Sequence, residues 1–297
     1  MHWTDRVYGE SAITDPDLRA LIACPTVQRL KGIRQAGPSA LAFAFKAVTR
    51  FEHSLGVHLL LRRLGADRRE QVAGLLHDIS HTAFSHAVDF LYESDEQNHH
   101  ELIKPSFLNR PDLVVAIERL GFTPADFYDD AIYPLLERPL PWLCADRIDY
   151  FFRDSLACGV STPEAVSRML AALDVIDQTI VFTEVSAARE AVHLFDIMNR
   201  EWWASPTEAY IYNEFAIALR TAFDAGLLVE DDLMADDAHV LAKLRASGDP
   251  TITDALDRIA HFDLDCLVDY IPKVTPKLRW LDPPVKVGSS FQRLSQF

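Results

Sequence analysis

Gly74-Leu75-Leu76-His77-Asp78-Ile79-Ser80-His81-Thr82-Ala83-Phe84-Ser85-His86 closes an apolar run with a His-Asp pair and two further histidines. Soluble chains normally keep titratable groups out of such runs, so the stretch reads as a metal site. Neighbouring side chains on a helix point roughly 100° apart, but where the helix ends an adjacent His and Asp can both turn toward one divalent ion. The stretch therefore predicts a helix that stops at His77 and a site that needs two more ligands.

Upstream, Arg50-Phe51-Glu52-His53-Ser54-Leu55-Gly56-Val57 opens a helical apolar pattern through Leu55, Leu59 and Leu60 and is placed to supply a second imidazole. Downstream, Asp146-Arg147-Ile148-Asp149-Tyr150-Phe151-Phe152-Arg153-Asp154 supplies carboxylates. Two neutral imidazoles and two carboxylates suit a borderline divalent metal and leave positions for water and an anionic oxygen, a ligand set suited to hydrolysis.

Composition narrows the remaining classes. With 297 residues, 49% of them hydrophobic, and only 11 glycines, the chain can bury a sizeable core. Its 29 basic and 44 acidic residues give a net charge of −15. That argues against duplex nucleic acid as the main partner, because such binding is dominated by Lys and Arg on phosphates. Met1-His2-Trp3-Thr4-Asp5-Arg6 lacks a basic segment followed by an apolar core, and no apolar run is long enough to span a bilayer, so the expectation is a cytoplasmic protein without a membrane partner. Cys24, Cys144, Cys158 and Cys266 are far apart, which supports neither a disulfide framework nor a cysteine zinc site.

Apolar spacing predicts two short helices within 16–36, interrupted at Pro25 and closed by Gly37-Pro38. Further helices are expected at about 52–64, 68–77, 84–93, 111–120, 144–156, 163–172, 186–202 and 206–226. Val175 to Phe182 reads as a short hairpin and 271–287 as extended chain that pairs with it. Two acidic amphipathic helices are expected within 229–269. The expected fold is mostly α, with a domain over 1–227 and a small C-terminal helical and extended lobe over 228–297. A homodimer is the base-rate expectation for assembly.

Taken together, these motifs resemble the HD-domain phosphohydrolase superfamily, and their flanks resemble its deoxynucleoside triphosphate triphosphohydrolase branch. The matching residues are Asp5 to Gly9, Pro25 to Leu30 with Ile33, Gln35 and Gly37, Arg50 to Val57, His77 to His86, His100-Glu101 and Asp146 to Asp154. The resemblance implies an HD-domain helical fold and metal ligands at His53, His77, Asp78 and Asp146. It implies one divalent ion, for which Mn, Fe, Ni, Zn, Co or Mg all remain open, and allows a second ion, Mg. Such an ion would lower the pKa of a water and withdraw charge from phosphorus. Around it, His81, His86, Asp89 and His100 fall where the family has its catalytic helpers, with His86 and Asp89 expected as the acid pair. Gln35, Tyr150 and Asp154 are placed near a nucleotide's sugar, and Arg50 and Arg147 near its phosphates.

One segment departs from the family. Asn199 to Asn213, where relatives concentrate cations, here offers Arg200, Tyr210 and Tyr212 and adds Glu201 and Glu208, so a triphosphate would be poorly neutralised. Tyr210 is expected to touch substrate in place of those cations. The function so implied is hydrolysis of a deoxynucleoside triphosphate to nucleoside and tripolyphosphate. The alternatives are a nucleotide phosphomonoesterase or phosphodiesterase, and a metal-dependent nucleotide sensor without turnover.

Overall fold

A computed structural model describes residues 1–90, 99–268, 270–271 and 279–297. The chain opens with an antiparallel hairpin, β1 (His2–Asp5) and β2 (Gly9–Ala12), in which Asp5 faces Gly9 across the turn. Two short helices follow, α1 (Pro16–Ile22) and α2 (Pro25–Arg29). Each starts on a proline, whose missing N–H would have found no partner in a first turn. After α3 (Ser39–Ala42) come the two helices that carry the histidines, α4 (Arg50–Arg63) and α5 (Arg68–Leu76). Thr49 and Glu52 form a reciprocal capping box at the start of α4, and the Asp67 carboxylate caps α5.

The expected helix over 84–93 is a 3₁₀ turn, Ser85–Phe90, and residues 91–93 lie outside the described part. Phe84 and Ser85 are both left-handed, with φ of 59° and 54°, which breaks a regular helix before it starts. The corner is held from outside: the Asp237 carboxylate accepts from Phe84 N at 2.6 Å, and Ser85 Oγ donates to Arg34 O at 2.7 Å.

Further along lie α6 (His99–Leu108), α7 (Pro111–Arg119), α8 (Ala145–Ala157) and α9 (Pro163–Ala171), then the hairpin β3 (Leu173–Ile176) and β4 (Thr179–Phe182). Helix α10 (Val185–Met198) runs through one wide π turn, Asn199–Trp203, before α11 (Pro206–Asp224). Three more helices, α12 (Glu230–Leu233), α13 (Asp237–Ala246) and α14 (Pro250–Ala260), precede a final hairpin, β5 (Pro284–Val287) and β6 (Ser290–Arg293). The fold is mostly α. The expected pairing of the two extended regions is present at 284–287, where β5 runs parallel to β4 in a four-stranded sheet ordered β3-β4-β5-β6.

Two apolar clusters carry the packing. One gathers α1, α2, α4, α5, α7, α8 and α10 and takes in Leu281 and Val285 from the C-terminal stretch. The other joins Phe84 and Val88 to α11 and to α12–α14. The C-terminal residues therefore serve both. Among the described residues no helix is long and apolar enough to cross a membrane.

Candidate metal centre

Helix α5 stops at Leu76, so His77 caps it and Asp78 follows outside the helix, which frees both side chains to turn one way. Helix α4 contributes His53 and the first turn of α8 contributes Asp146. His53 Nε2 lies 3.1 Å from His77 Nε2 and 2.9 Å from Asp146 Oδ1. His77 Nε2 is 3.5 Å from both Asp146 Oδ1 and Asp78 Oδ1, and His53 Nε2 is 3.6 Å from Asp78 Oδ2. An ion with bonds of about 2.1 Å sets adjacent donor atoms roughly 3.0–3.4 Å apart, so His53, His77 and Asp146 fit a first-row divalent metal in chemistry and spacing, with the Asp78 carboxylate beside them.

Both imidazoles are fixed in orientation. His77 Nδ1 faces the carbonyl oxygen of Gly74 at 2.9 Å and must carry a hydrogen, which leaves Nε2 for the centre. His53 Nδ1 lies 2.7 Å from Asp149 Oδ2. Asp149 in turn accepts from Arg153 at 2.8 and 2.9 Å, and Arg153 Nη2 also donates to Asp5 at 3.1 Å. Asp149 and Arg153 are fully buried. A carboxylate behind a ligating histidine raises its basicity and fixes its tautomer, and losing one typically costs 10–100-fold in metal affinity. Asp149→Asn is accordingly expected to weaken Mn binding by about that factor, measured by calorimetric titration, and excess metal should restore turnover.

Without metal the cluster holds a proton instead. Burial pushes the His53 pKa down, but hydrogen bonds to Asp146 and Asp149 and the charge of Asp78 outweigh it and bring the value to about 10. Asp78 is held well below the usual carboxylate range, because Arg50, His77 and His81 overcome its burial. Protonated His53 stabilises the metal-free fold below the ordinary histidine pKa, and this contribution is lost as pH rises through about 10. Metal uptake must expel the same proton, so apparent affinity should rise with pH between about 6 and 8, by up to about tenfold per unit. Titrations in two buffers of different ionisation enthalpy would read the released proton directly.

Beside the cluster sits a second group of imidazoles. His81 Nε2 lies 3.2 Å from Asp78 Oδ1, and its ring stacks on His100 at 4.1 Å and 15°. His86 meets both rings edge-on, and its Nδ1 lies 3.0 Å from Asp89 Oδ2. Burial, reinforced by Arg50 and His100, keeps His81 far below its ordinary pKa, and burial and His86 bring His100 down to about 3. Both are therefore neutral near pH 7. His86 is a third exposed and is backed by the buried carboxylate of Asp89, so of the three rings it is the one open to the cavity with a carboxylate partner. Asp89 Oδ1 also accepts from His99 N at 3.3 Å, at the start of α6.

Both groups open on a cavity of about 460 Å³. Gln35, Arg50, Arg147, Tyr150 and Asp154 line it as expected, and the buried Gln35 Oε1 has no protein partner. Tyr210 does not line it. That expectation is corrected: Tyr210 is buried in the second cluster, its ring 5.2 Å from Tyr270 and 5.6 Å from Phe262. Tyr212, two positions on, turns its side chain to the cavity in its place. Arg200 is an exposed partner of Asp196 at 3.2 Å and lies away from the wall. Asp154 accepts from Trp203 Nε1 at 3.0 Å, and Arg147 Nη1 donates to the carbonyls of Trp142 and Arg138 at 2.7 and 3.0 Å.

Sequence reasoning missed several wall residues, among them Lys46, Trp202, Trp203 and Arg279, and the buried Asp149-Arg153-Asp5 chain. The available signal was helical spacing: Asp146, Asp149 and Arg153 fall at i, i+3 and i+7, on one face of α8.

Residues 50–119 match the HD domain family. The chain is 32% identical over 264 residues to the metal-dependent phosphohydrolase cns2 of Cordyceps militaris, covering 86% of this chain and 76% of that protein. It belongs to the HD-domain metal-dependent phosphohydrolases and is a hydrolase of that class. Similarity extends to the uncharacterized protein YdhJ of Bacillus subtilis, at 35% identity over 96% of this chain and 88% of the relative. A Dictyostelium discoideum protein named deoxynucleoside triphosphate triphosphohydrolase SAMHD1 homolog is 25% identical over 93% of this chain and 61% of its own length. The crystal structure of a hypothetical protein from Aquifex aeolicus shares the fold, with a TM-score of 0.75 over 100% of this chain and 91% of that one at 20% identity.

Proposed function

We propose that the protein hydrolyses a nucleotide bearing a single phosphate ester and releases orthophosphate. The observation that carries this reading is how the cavity's cations are already employed. Lys46 Nζ lies 2.5 Å from Glu208 and Arg50 Nη1 2.7 Å from Asp78, while Arg147 serves backbone carbonyls and lies 3.6 Å from Glu137. Among the described wall residues, four carboxylates (Asp78, Asp146, Asp154, Glu208) face four cations (Lys46, Arg50, Arg147, Arg279). A divalent ion would add two positive charges, which matches the roughly −1.5 to −2 of one phosphate monoester and falls short of a triphosphate.

His53, His77, Asp78 and Asp146 would hold the ion. When bound, it would lower the pKa of a water and draw charge from the phosphoryl group. Arg50, anchored by Asp78 and Ser85, lines the same end of the cavity and would meet a phosphate oxygen. Water adds to phosphorus, the bond from phosphorus to the ester oxygen breaks, and the leaving oxygen takes a proton from His86, which Asp89 orients. Tyr150, Trp202, Trp203 and Tyr212 offer aromatic faces to the nucleoside, and Gln35 offers an acceptor for one of its donors.

A second reading, triphosphohydrolysis of a deoxynucleotide, draws support from the name of the Dictyostelium relative. A product-resolved assay separates the two. Protein loaded in turn with Mn, Fe, Co, Ni, Zn or Mg is given ribo- and deoxynucleoside mono-, di- and triphosphates, with the double variant His77→Ala/Asp78→Ala as the blank. Orthophosphate from monophosphates, absent from the blank, supports the proposal. Tripolyphosphate from triphosphates with monophosphates untouched would replace it with the second reading.

A further inference from the structure

The junction between α12 and α13, residues 233–237, does not line the cavity, yet it is hydrogen-bonded from behind to two segments that do, 34–36 and 79–86. Asp237 Oδ1 accepts from Phe84 N at 2.6 Å, and its Oδ2 accepts from Arg34 N at 2.8 Å. Leu233 O accepts from Ala83 N at 2.9 Å. Arg29 closes the junction: its Nη1 donates to Ala235 O at 3.0 Å, and its Nη2 donates to the carbonyls of Ile79 and His81, each at 2.8 Å.

Each N–H that Asp237 holds lies next to working residues. Arg34 precedes Gln35, and Phe84 precedes Ser85 and His86; Gln35 and His86 both line the cavity. Ser85 ties the two segments to a cation, because its Oγ donates to Arg34 O at 2.7 Å and accepts from Arg50 Nε at 3.0 Å. Arg50 Nη1 then reaches Asp78 at 2.7 Å. Asp237, Ser85 and Arg50 are all buried. The left-handed backbone at Phe84 and Ser85 is unfavourable for residues with side chains and persists only where the surroundings over-determine it. A carboxylate suits this task, since its two oxygens accept one N–H each, whereas an amide would turn a donor toward one of them.

We infer that Asp237 is a positioning residue of the hydrolytic site: by fastening Phe84 and Arg34 it sets where Arg50 and His86 stand. The bearing of this clamp on catalysis rests on the roles proposed above for Arg50 and His86. It gives the C-terminal lobe a part in the chemistry without placing any of its residues 233–237 on the substrate.

The test uses the Zn-loaded full chain carrying ¹⁵N-arginine and ¹⁵N-histidine at about pH 8, where Asp237 is ionised although burial raises its pKa to about 6. Asp237→Asn should shift the Arg50 Nε–H and His86 ring resonances and speed hydrogen exchange at Arg50 Nε–H at least about tenfold. On the best nucleotide from the product-resolved assay, kcat should fall at least about tenfold with KM less affected. Zn affinity should change by less than the roughly tenfold that loss of a ligand's support produces. Glu214→Gln, which weakens a 2.8 Å pair with Arg258 between α11 and α14, should leave Arg50 and His86 as they are. Ser85→Ala cuts the same link on the cavity side and should move the Arg50 signal too, a check that stands even if Asp237→Asn fails to fold. Unmoved Arg50 and His86 resonances in Asp237→Asn, an unmoved Arg50 resonance in Ser85→Ala, or an equal loss in Glu214→Gln would overturn the proposal and leave Asp237 as a brace for the fold. A moved Arg50 signal in a chain that turns over no nucleotide would instead count against the hydrolytic reading and leave the clamp standing.

Discussion

Gly56→Ala is expected to destabilise the protein by about 3 kcal/mol or more, although alanine is the better helix former by roughly 1 kcal/mol. Gly56 lies on α4 three residues after His53. A Cβ there would fall 2.0 Å from Arg153 Nη2 and 2.1 Å from Asp149 Oδ1. Neither group can retreat cheaply, since both are fully buried and bonded to each other and, through Arg153, to Asp5. Parting a buried ion pair without replacing the partner costs about 3–5 kcal/mol. In a chain of this size that lowers the melting temperature by roughly 5 °C or more. Thermal unfolding with saturating metal would show it; an unchanged or raised melting temperature would mean that the Asp149-Arg153 chain is not packed against α4 as described.

Asp78→Ala is expected to cut kcat/KM by at least about a thousandfold, or roughly 4 kcal/mol of transition-state stabilisation, and added metal should not restore it. This carboxylate lies 2.7 Å from Arg50, 3.2 Å from His81, 3.5 Å from His77 and 3.6 Å from His53. Its loss would remove a carboxylate that faces the cluster, unfasten the arginine and strip the orienting partner from one of the stacked histidines. Asp149→Asn differs because it leaves the groups that face the cluster in place: it weakens the buried pair with Arg153 and the rear support of His53, and high metal concentration should offset the latter. Steady-state rates measured across a metal series for the two variants separate these roles, provided circular dichroism shows both folded. If Asp78→Ala keeps more than about a tenth of its rate, the cluster is not where the reaction is supported.

The metal cluster was legible in the sequence because its logic is local. An apolar helix ending in His77-Asp78, an imidazole early in the preceding helix and an acidic first turn in α8 each carry a short-range signal. The cavity wall was legible only in part. Tyr210 and Tyr212 are two residues apart on one helix, hence about 200° apart around it, and nothing in the local pattern says which faces inward. The fate of Lys46 depends on Glu208, 162 positions away, so the sequence showed a shortage of cations but not that those present were already paired. The corner at Phe84-Ser85 was read as helix because its apolar spacing is helical, whereas its left-handed turn is imposed by Asp237 from α13.

That corner belongs to a wider regularity with a kinetic meaning. His53 and Asp146 are 93 positions apart, Asp5 and Arg153 148, and Phe84 and Asp237 153. Contacts of such long sequence separation are closed late, once the entropy of the intervening loops has been met. A chain emerging from synthesis with His53, His77 and Asp78 exposed would therefore lack Asp146 to complete the cluster and Asp149 to orient it. Metal capture would thus belong to the end of folding, and an ion bound there would act as a lock on the finished fold and not as the seed around which it forms.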